Sequence, residues 1–341
     1  MRNQRQRVFS LITDWLVAIS LFGVLGYLIP GLEGLRLLFL LLPLALLARA
    51  LRGRARAARA RAANDAAAPS LPDPPLNQPA GSPARFAARL ALSQALILLN
   101  PLQVAQIIAQ IVGQAIISSR RALPDTDYAQ QAAQQAAQQA RYTLPFRGEW
   151  LVSNGGVTPA DSHSWDFLTQ RYAYDFVIAD AALRRHSGDG RALTDYFCYG
   201  QDLIAPADGE IITVRDGVRD APRPGSGWID FLARDFRGNF VIIKHAEGEY
   251  SFLAHLIPGS IVVRAGQRVQ RGQLIGRCGN SGHSSEPHLH FHLQDRPSFW
   301  LAAGLPVKFD DLIVDGAPQD QARYLTRGAR VCPASQAVAS G

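Results

Sequence analysis

His288, His290 and His292 alternate with Leu289, Phe291 and Leu293. Successive side chains of a β-strand point to opposite faces, so the histidines share one face while Leu, Phe and Leu enter a core. Imidazoles two residues apart on a strand can reach one metal ion or one reaction centre. The plainer alternative is a half-exposed strand whose polar face is histidine, but a row of three after a Gly279-Asn280-Ser281-Gly282-His283 loop favours a site. Asp175 lies within Tyr172-Ala173-Tyr174-Asp175-Phe176-Val177-Ile178. A carboxylate in so apolar a strand is costly unless it is ion-paired, hydrogen-bonded or metal-bound, and Arg171 is a nearby ion-pair candidate. His255 closes Ser251-Phe252-Leu253-Ala254-His255; alone it reads as an ordinary strand-end residue. His245 reads as structural.

The elements that must position these groups are short runs of β-branched and aromatic residues broken by Gly, Pro and Asp. The runs Tyr172–Ile178, Glu210–Val214, Phe240–His245, Tyr250–His255 and His288–Leu293 predict strands. Phe240–His245 and Tyr250–His255 predict a hairpin across a four-residue loop, Ala246-Glu247-Gly248-Glu249. Ile204–Gly209 and Val263–Gln267 resemble the turns of barrel-sandwich hybrids. The expected C-terminal half is a mainly antiparallel β domain.

These residues carry a resemblance. Gly279-Asn280-Ser281-Gly282-His283-Ser284-Ser285-Glu286-Pro287-His288-Leu289-His290-Phe291 resembles the His-Leu-His signature of the lysostaphin-type (LytM-domain) zinc endopeptidases. Phe252–Leu256 resembles that family's upstream active-site histidine segment, and Ile204–Gly209 and Val262–Gly276 match its intervening turns. The similarity covers about Leu144 to Val307. It implies the family's β fold, one zinc per chain, and cleavage of peptide bonds in bacterial peptidoglycan. By position it makes His290 and Asp175 zinc ligands and His255 and His288 catalytic. The family takes its remaining ligand from a His four residues before the Asp, where this chain has Arg171. His163, in Asp161-Ser162-His163-Ser164-Trp165, is the expected substitute from a longer loop. His292 stands where the family varies and reads as rim. Three His/Asp/His ligands leave zinc an open position for a water whose pKa the metal lowers. His255 and His288 would divide proton acceptance and oxyanion donation between them; the residues leave open which does which.

Two other classes compete. A catalytically degenerate domain could bind peptidoglycan or activate another wall hydrolase, as the departure at Arg171 allows. A lipoyl or biotinyl carrier needs a lysine at an exposed hairpin tip, and the only lysines are Lys244, within a predicted strand, and Lys308. Of three cysteines, Cys198 and Cys278 could pair in an oxidising compartment, leaving Cys332 free.

Charge and hydropathy separate the chain into halves. It has 341 residues, 48% hydrophobic, with a formal charge of +7, so a wholly disordered chain is excluded. Residues 1–61 hold ten Arg against Asp14 and Glu33, which leaves the rest close to neutral. A basic nucleic-acid groove over the folded part is thereby excluded. All eight histidines lie between His163 and His292.

Val8–Ile29 and Leu35–Ala48 are apolar runs separated by Pro30-Gly31 and flanked by arginine on both sides. Residues 1–62 therefore read as a transmembrane hairpin with both ends cytoplasmic; a signal peptide would be far shorter. The arginines up to Arg61 would lie against anionic headgroups. Residues 63–89 read as a Pro-rich linker. Residues 90–118 carry Gln103, Gln106, Gln110 and Gln114 on one helical face, which suits a third span packed on the hairpin or an amphipathic helix on the surface. The span is favoured because a wall peptidase must lie outside the cytoplasmic (inner) membrane. Residues 119–143, with repeated Ala-Gln-Gln, read as a solvated helical spacer. Residues 144–315 are the expected peptidase domain and 316–341 a tail.

Overall fold

The computed structural model describes residues 83–120 and 138–337. The predicted transmembrane hairpin and most of the linker and spacer lie outside the described residues. Two helices come first, α1 (Pro83–Ile97) and α2 (Pro101–Arg120). Then follow β1 (Trp150–Asn154), β2 (Tyr174–Val177), β3 (Asp202–Ile204), β4 (Gly209–Arg215), β5 (Asn239–Ala246), β6 (Glu249–Leu256) and β7 (Arg268–Val269). The chain continues through β8 (Leu274–Arg277), β9 (Leu289–Gln294), β10 (Gly304–Leu305), β11 (Leu312–Val314), β12 (Ala317–Gln319) and β13 (Arg330–Pro333), and closes on the short α3 (Ala334–Ala337).

Strands pair antiparallel in the order β12-β11-β13-β1-β2-β9-β6-β5-β4-β7, with β10 added on β9 and β3-β8 forming a separate ribbon. All five predicted strands are present. The predicted hairpin is tighter than expected, because Ala246 pairs with Glu249 and leaves Glu247-Gly248 as the loop. The stretch expected as a tail supplies β12 and β13, and β13 pairs with β1.

Alternation sets the two faces. Leu289, Phe291 and Leu293 join Tyr174, Phe176, Val241, Ile243 and Leu253 in the main core. Burying such side chains contributes about 1.5–3 kcal/mol each. Asp175 and the histidines of β9 face the other way. That second face is also covered, by Phe252, Ala254 and Phe299, so β9 is buried on both sides rather than half-exposed. The three cysteines are free thiols, Cys198 and Cys278 within the core.

Residues 90–118 are not one continuous helix. Asn100 breaks them: its Oδ1 accepts the Leu102 and Gln103 N–H groups (3.1 and 3.4 Å), and Pro101 takes the first helical position, where its missing N–H costs nothing.

Candidate active site

Asp175 is the hub. It pairs across the β2–β9 ladder with His290 and across β1–β2 with Asn154, next to a register shift. Its Oδ1 lies 3.0 Å from His290 Nδ1 and 3.6 Å from His288 Nε2. Its Oδ2 lies 3.3 Å from His163 Nδ1 and accepts Asn154 Nδ2 at 3.3 Å. The Arg171 guanidinium lies 4.9 Å over the Trp165 ring, and its Nε donates to the Trp165 carbonyl at 3.2 Å. Burial alone would raise the Asp175 pKa, but His163, His288 and His290 outweigh it and hold the carboxyl well below the usual carboxylate range.

His163 reaches this point from the irregular segment 155–173. Thr158 Oγ1 donates to Asp161 (2.6 Å), Ser164 Oγ donates to the Gln170 carbonyl (2.6 Å), and Trp165 meets Tyr172 edge-on. The His163 side chain is 45% exposed.

His255 is brought in by backbone distortion. Simple alternation would turn it away from the histidine face of β9. The ladder between β5 and β6 slips there, Asn239 pairing with Leu256 and Phe240 with Ala254, and His255 adopts φ +66. Such a bulge re-aims a side chain, and the left-handed backbone costs roughly 1–3 kcal/mol. The His255 ring then lies 4.7 Å from that of His288 and 5.8 Å from that of His290. Its Nδ1–H donates to the Ser281 carbonyl at 2.7 Å, which leaves Nε2 as a lone-pair acceptor. Gly282 (φ +80) lets this loop approach closely, since a Cβ there would fall 2.4 Å from the Gly238 nitrogen.

His292, expected at the rim, is instead fully buried, stacked on Phe252 at 4.8 Å. The cover comes from residues distant in sequence, which alternation within β9 does not reveal. His292 belongs to a relay whose direction can be read from its end. Gln294 Nε2 donates to the Arg296 carbonyl (2.7 Å), so Gln294 Oε1 must accept from His292 Nε2–H (2.9 Å). Neutral His292 then accepts at Nδ1 from His290 Nε2–H (3.1 Å). Neutral His290 is left with a bare Nδ1 lone pair 3.0 Å from the Asp175 carboxylate. Burial lowers the pKa of His290 and pushes that of His292 down to about 3, which keeps both neutral. A lone pair facing a carboxylate at that distance is repulsive unless a cation lies between or beside them.

A zinc ion fits this requirement. Ligands about 2.0–2.1 Å from a tetrahedral zinc lie about 3.3 Å apart, close to both the Asp175–His163 and Asp175–His290 separations. Among the described residues no group of three or more His, Cys, Asp or Glu side chains is placed to hold a metal ion; the candidate donors come in pairs that share Asp175. Replacing His292 with Phe keeps the stacking shape but cuts the relay. Zinc affinity should fall about 10–100-fold, and the orphaned polar groups should cost about 1–3 kcal/mol of stability. Metal titration and thermal melting of H292F check this; unchanged affinity would contradict the relay.

Burial also lowers the pKa of His245 and His255 and pushes that of His283 to about 4. From an ordinary value of 6.5, the unfolded chain takes up protons that the folded chain refuses. The stability these neutral histidines contribute is therefore present above that pH and is lost as pH falls through their low folded values. Metal-free protein should melt at a lower temperature at about pH 5 than at about pH 7; equal midpoints would contradict the assignment.

Residues 194–298 match the model of Peptidase family M23. The peptidoglycan DD-endopeptidase ShyA of Vibrio cholerae serotype O1 is 34% identical over 110 residues, covering 32% of this chain and 23% of that protein. The cell division protein DipM of Caulobacter vibrioides is 38% identical over 99 residues, covering 29% and 13% respectively. The match to ShyA thus spans about a quarter of that relative's length. Among solved structures, a zinc-containing peptidase from Vibrio cholerae is similar over 49% of this chain and 41% of that one, at 23% identity and a TM-score of 0.29. The family match holds His255, His288 and His290 but stops short of Asp175 and His163, which reach the same place through β2 and the segment before it. The part of the chain from 194 to 298 is a Peptidase family M23 domain of the LytM type.

Proposed function

We propose that the protein is a membrane-anchored zinc metalloendopeptidase that hydrolyses peptide cross-links of bacterial peptidoglycan outside the cytoplasmic membrane. The observation that carries this reading is the convergence of His163, His255, His288 and His290 around Asp175, with the relay aiming a bare Nδ1 at a carboxylate. His163, Asp175 and His290 would hold one zinc per chain. Zinc bound there supplies Lewis acidity toward a water and the scissile carbonyl. His255, neutral and with its Nδ1–H held by Ser281, takes the proton from the attacking water at Nε2. His288 donates its Nδ1–H to the Glu286 carbonyl at 2.8 Å, so it would donate from Nε2 to the developing oxyanion only as the doubly protonated imidazolium, the form that the Asp175 carboxylate 3.6 Å from Nε2 favours. Asn154 fixes the carboxylate plane of Asp175. The wall-peptide substrate is supported by the activity for which ShyA is named. Anchoring is supported by Val8–Ile29, long enough to cross the bilayer once, whereas Leu35–Ala48 is too short for a second crossing. Gln103, Gln106 and Gln114 hold α2 on the β domain instead of across the membrane, so a single crossing leaves the domain outside.

The degenerate-domain alternative draws on one observation, Arg171 in the place of the family's first ligand. The two readings separate in one assay. Full-length protein is incubated with purified peptidoglycan, and the released peptides are analysed by mass spectrometry with and without a chelator. New chelator-sensitive peptide ends are the expected result and name the bond. Stoichiometric zinc with no released peptides would favour the binding or activating module.

A further inference from the structure

α2 is amphipathic in the reverse sense to an ordinary surface helix: its glutamines face the protein. Gln103 is fully buried. Its Nε2 donates to the carbonyls of Asp230 (3.0 Å) and Ala233 (2.9 Å), and its Oε1 lies 2.6 Å from His283 Nε2. Gln106 accepts the Phe236 N–H at 2.9 Å and donates to the Arg234 carbonyl at 2.8 Å. Gln114 accepts the Leu168 N–H at 2.9 Å and donates to the Asp166 carbonyl. The helix lies so close that a Cβ at Gly113 would fall 1.9 Å from the Trp300 oxygen. The opposite side, at spacings of three and four, is Leu102, Ala105, Ala109, Val112 and Ile116, exposed at its first two positions and half-buried beyond.

The apolar surface is densest at the α1–α2 corner. Asn100 Nδ2 donates to the carbonyls of Phe231 and Ala233 (3.1 and 3.0 Å), which sets Leu232 beside it. Leu98, Leu99, Leu102 and Leu232 are 69, 77, 54 and 62% exposed, and Leu92, farther back on α1, is 50% exposed. Exposed apolar side chains grouped in this way mark an interaction surface. Charge says which kind. Arg85, Arg89, Arg223 and Arg234 are exposed on the same elements, and Pro83–Arg120 holds no Asp or Glu. The neighbouring acids, Asp230 and Asp235, are buried against Arg219 and Arg237.

We propose that this leucine cap seats on an anionic phospholipid surface, the leucines entering the headgroup–acyl boundary and the arginines meeting phosphates. The proposal rests on the membrane-anchored reading and adds the face of the domain that meets the bilayer. The same chain carries apolar runs and the arginines of 49–61 immediately upstream, which draw on the same lipid chemistry. A second copy of the chain fits the surface less well, because a two-fold contact would bring the basic rims together. Gln103 and Gln114 then make the cap a rigid mount: they grip the loop that precedes His288 and the segment that carries His163.

The test uses full-length protein in vesicles of phosphatidylethanolamine and phosphatidylglycerol. Leu99→Cys, in a Cys332→Ser background, carries an environment-sensitive fluorophore; Val262→Cys, 60% exposed at the native Val on the β6–β7 connection, is the control. Flotation with the vesicles reports anchoring, and quenching by lipids brominated near the headgroup reports the cap. The Leu99 label should be blue-shifted and quenched several-fold more than the Val262 label. The difference should shrink in phosphatidylcholine vesicles or with Arg89→Glu and Arg234→Glu combined, while bound zinc is retained. Flotation with equal quenching at both sites overturns the cap and leaves anchoring standing. Self-quenching between copies without lipid quenching also overturns it, in favour of a dimer. Failure to float overturns both readings.

Discussion

Asp175→Asn should abolish zinc binding and lower wall-peptide cleavage by at least ~10³-fold, the scale on which loss of charge stabilisation in a transition state is felt. Asparagine keeps the volume and the β2 backbone but removes the anion toward which His163, His288 and His290 converge. The bare Nδ1 of His290 can then accept from the new amide, so the metal-free protein stays folded and the loss belongs to the site. Zinc stoichiometry by elemental mass spectrometry and peptide release from peptidoglycan check this. One zinc per chain with undiminished cleavage would remove Asp175 from the ligand set.

The second large effect is at His255. His255→Asn should lower cleavage by about 10²–10⁴-fold, the range for loss of a general base, with zinc stoichiometry unchanged. Asparagine is chosen because it tolerates the left-handed backbone better than most residues, so the bulge at the end of β6 survives. If zinc left with the imidazole, His255 would be a ligand; if cleavage survived, another group would take the proton.

The local part of this arrangement was legible in the sequence. Alternation in His288–Leu293 announced a strand with a histidine face and an apolar face, and Asp175 within an aromatic run announced a carboxylate with special partners. Distance in sequence hid the rest. Phe252 and Phe299 cover His292 from other parts of the chain, so nothing within β9 marks it as interior. The glutamine stripe was visible, but a stripe does not name what it faces; its backbone partners at 166–168 and 230–236 lie far downstream and in irregular backbone, which has no periodicity to read. The φ of His255 depends on a slip between β5 and β6 that no local pattern encodes. β12 and β13 are short and partly polar, so nothing within residues 316–341 marks them as strands; their pairing with β11 and β1 does.

The Asn100 cap shows the same division. Asn-Pro is a turn signal, yet the apolar content on both sides suggested one segment from 90 to 118. The break matters because it turns α1 back and builds the leucine corner from both helices.

The measurement that tests the central claim most directly is an anomalous-difference map at the zinc edge from crystals of the zinc-loaded protein. The account predicts a single peak about 2.0–2.2 Å from His290 Nδ1, an Asp175 carboxylate oxygen and His163 Nδ1, with His255 and His288 outside the coordination sphere. A peak lacking His163, or no peak at Asp175 in protein that cleaves peptidoglycan, would contradict it.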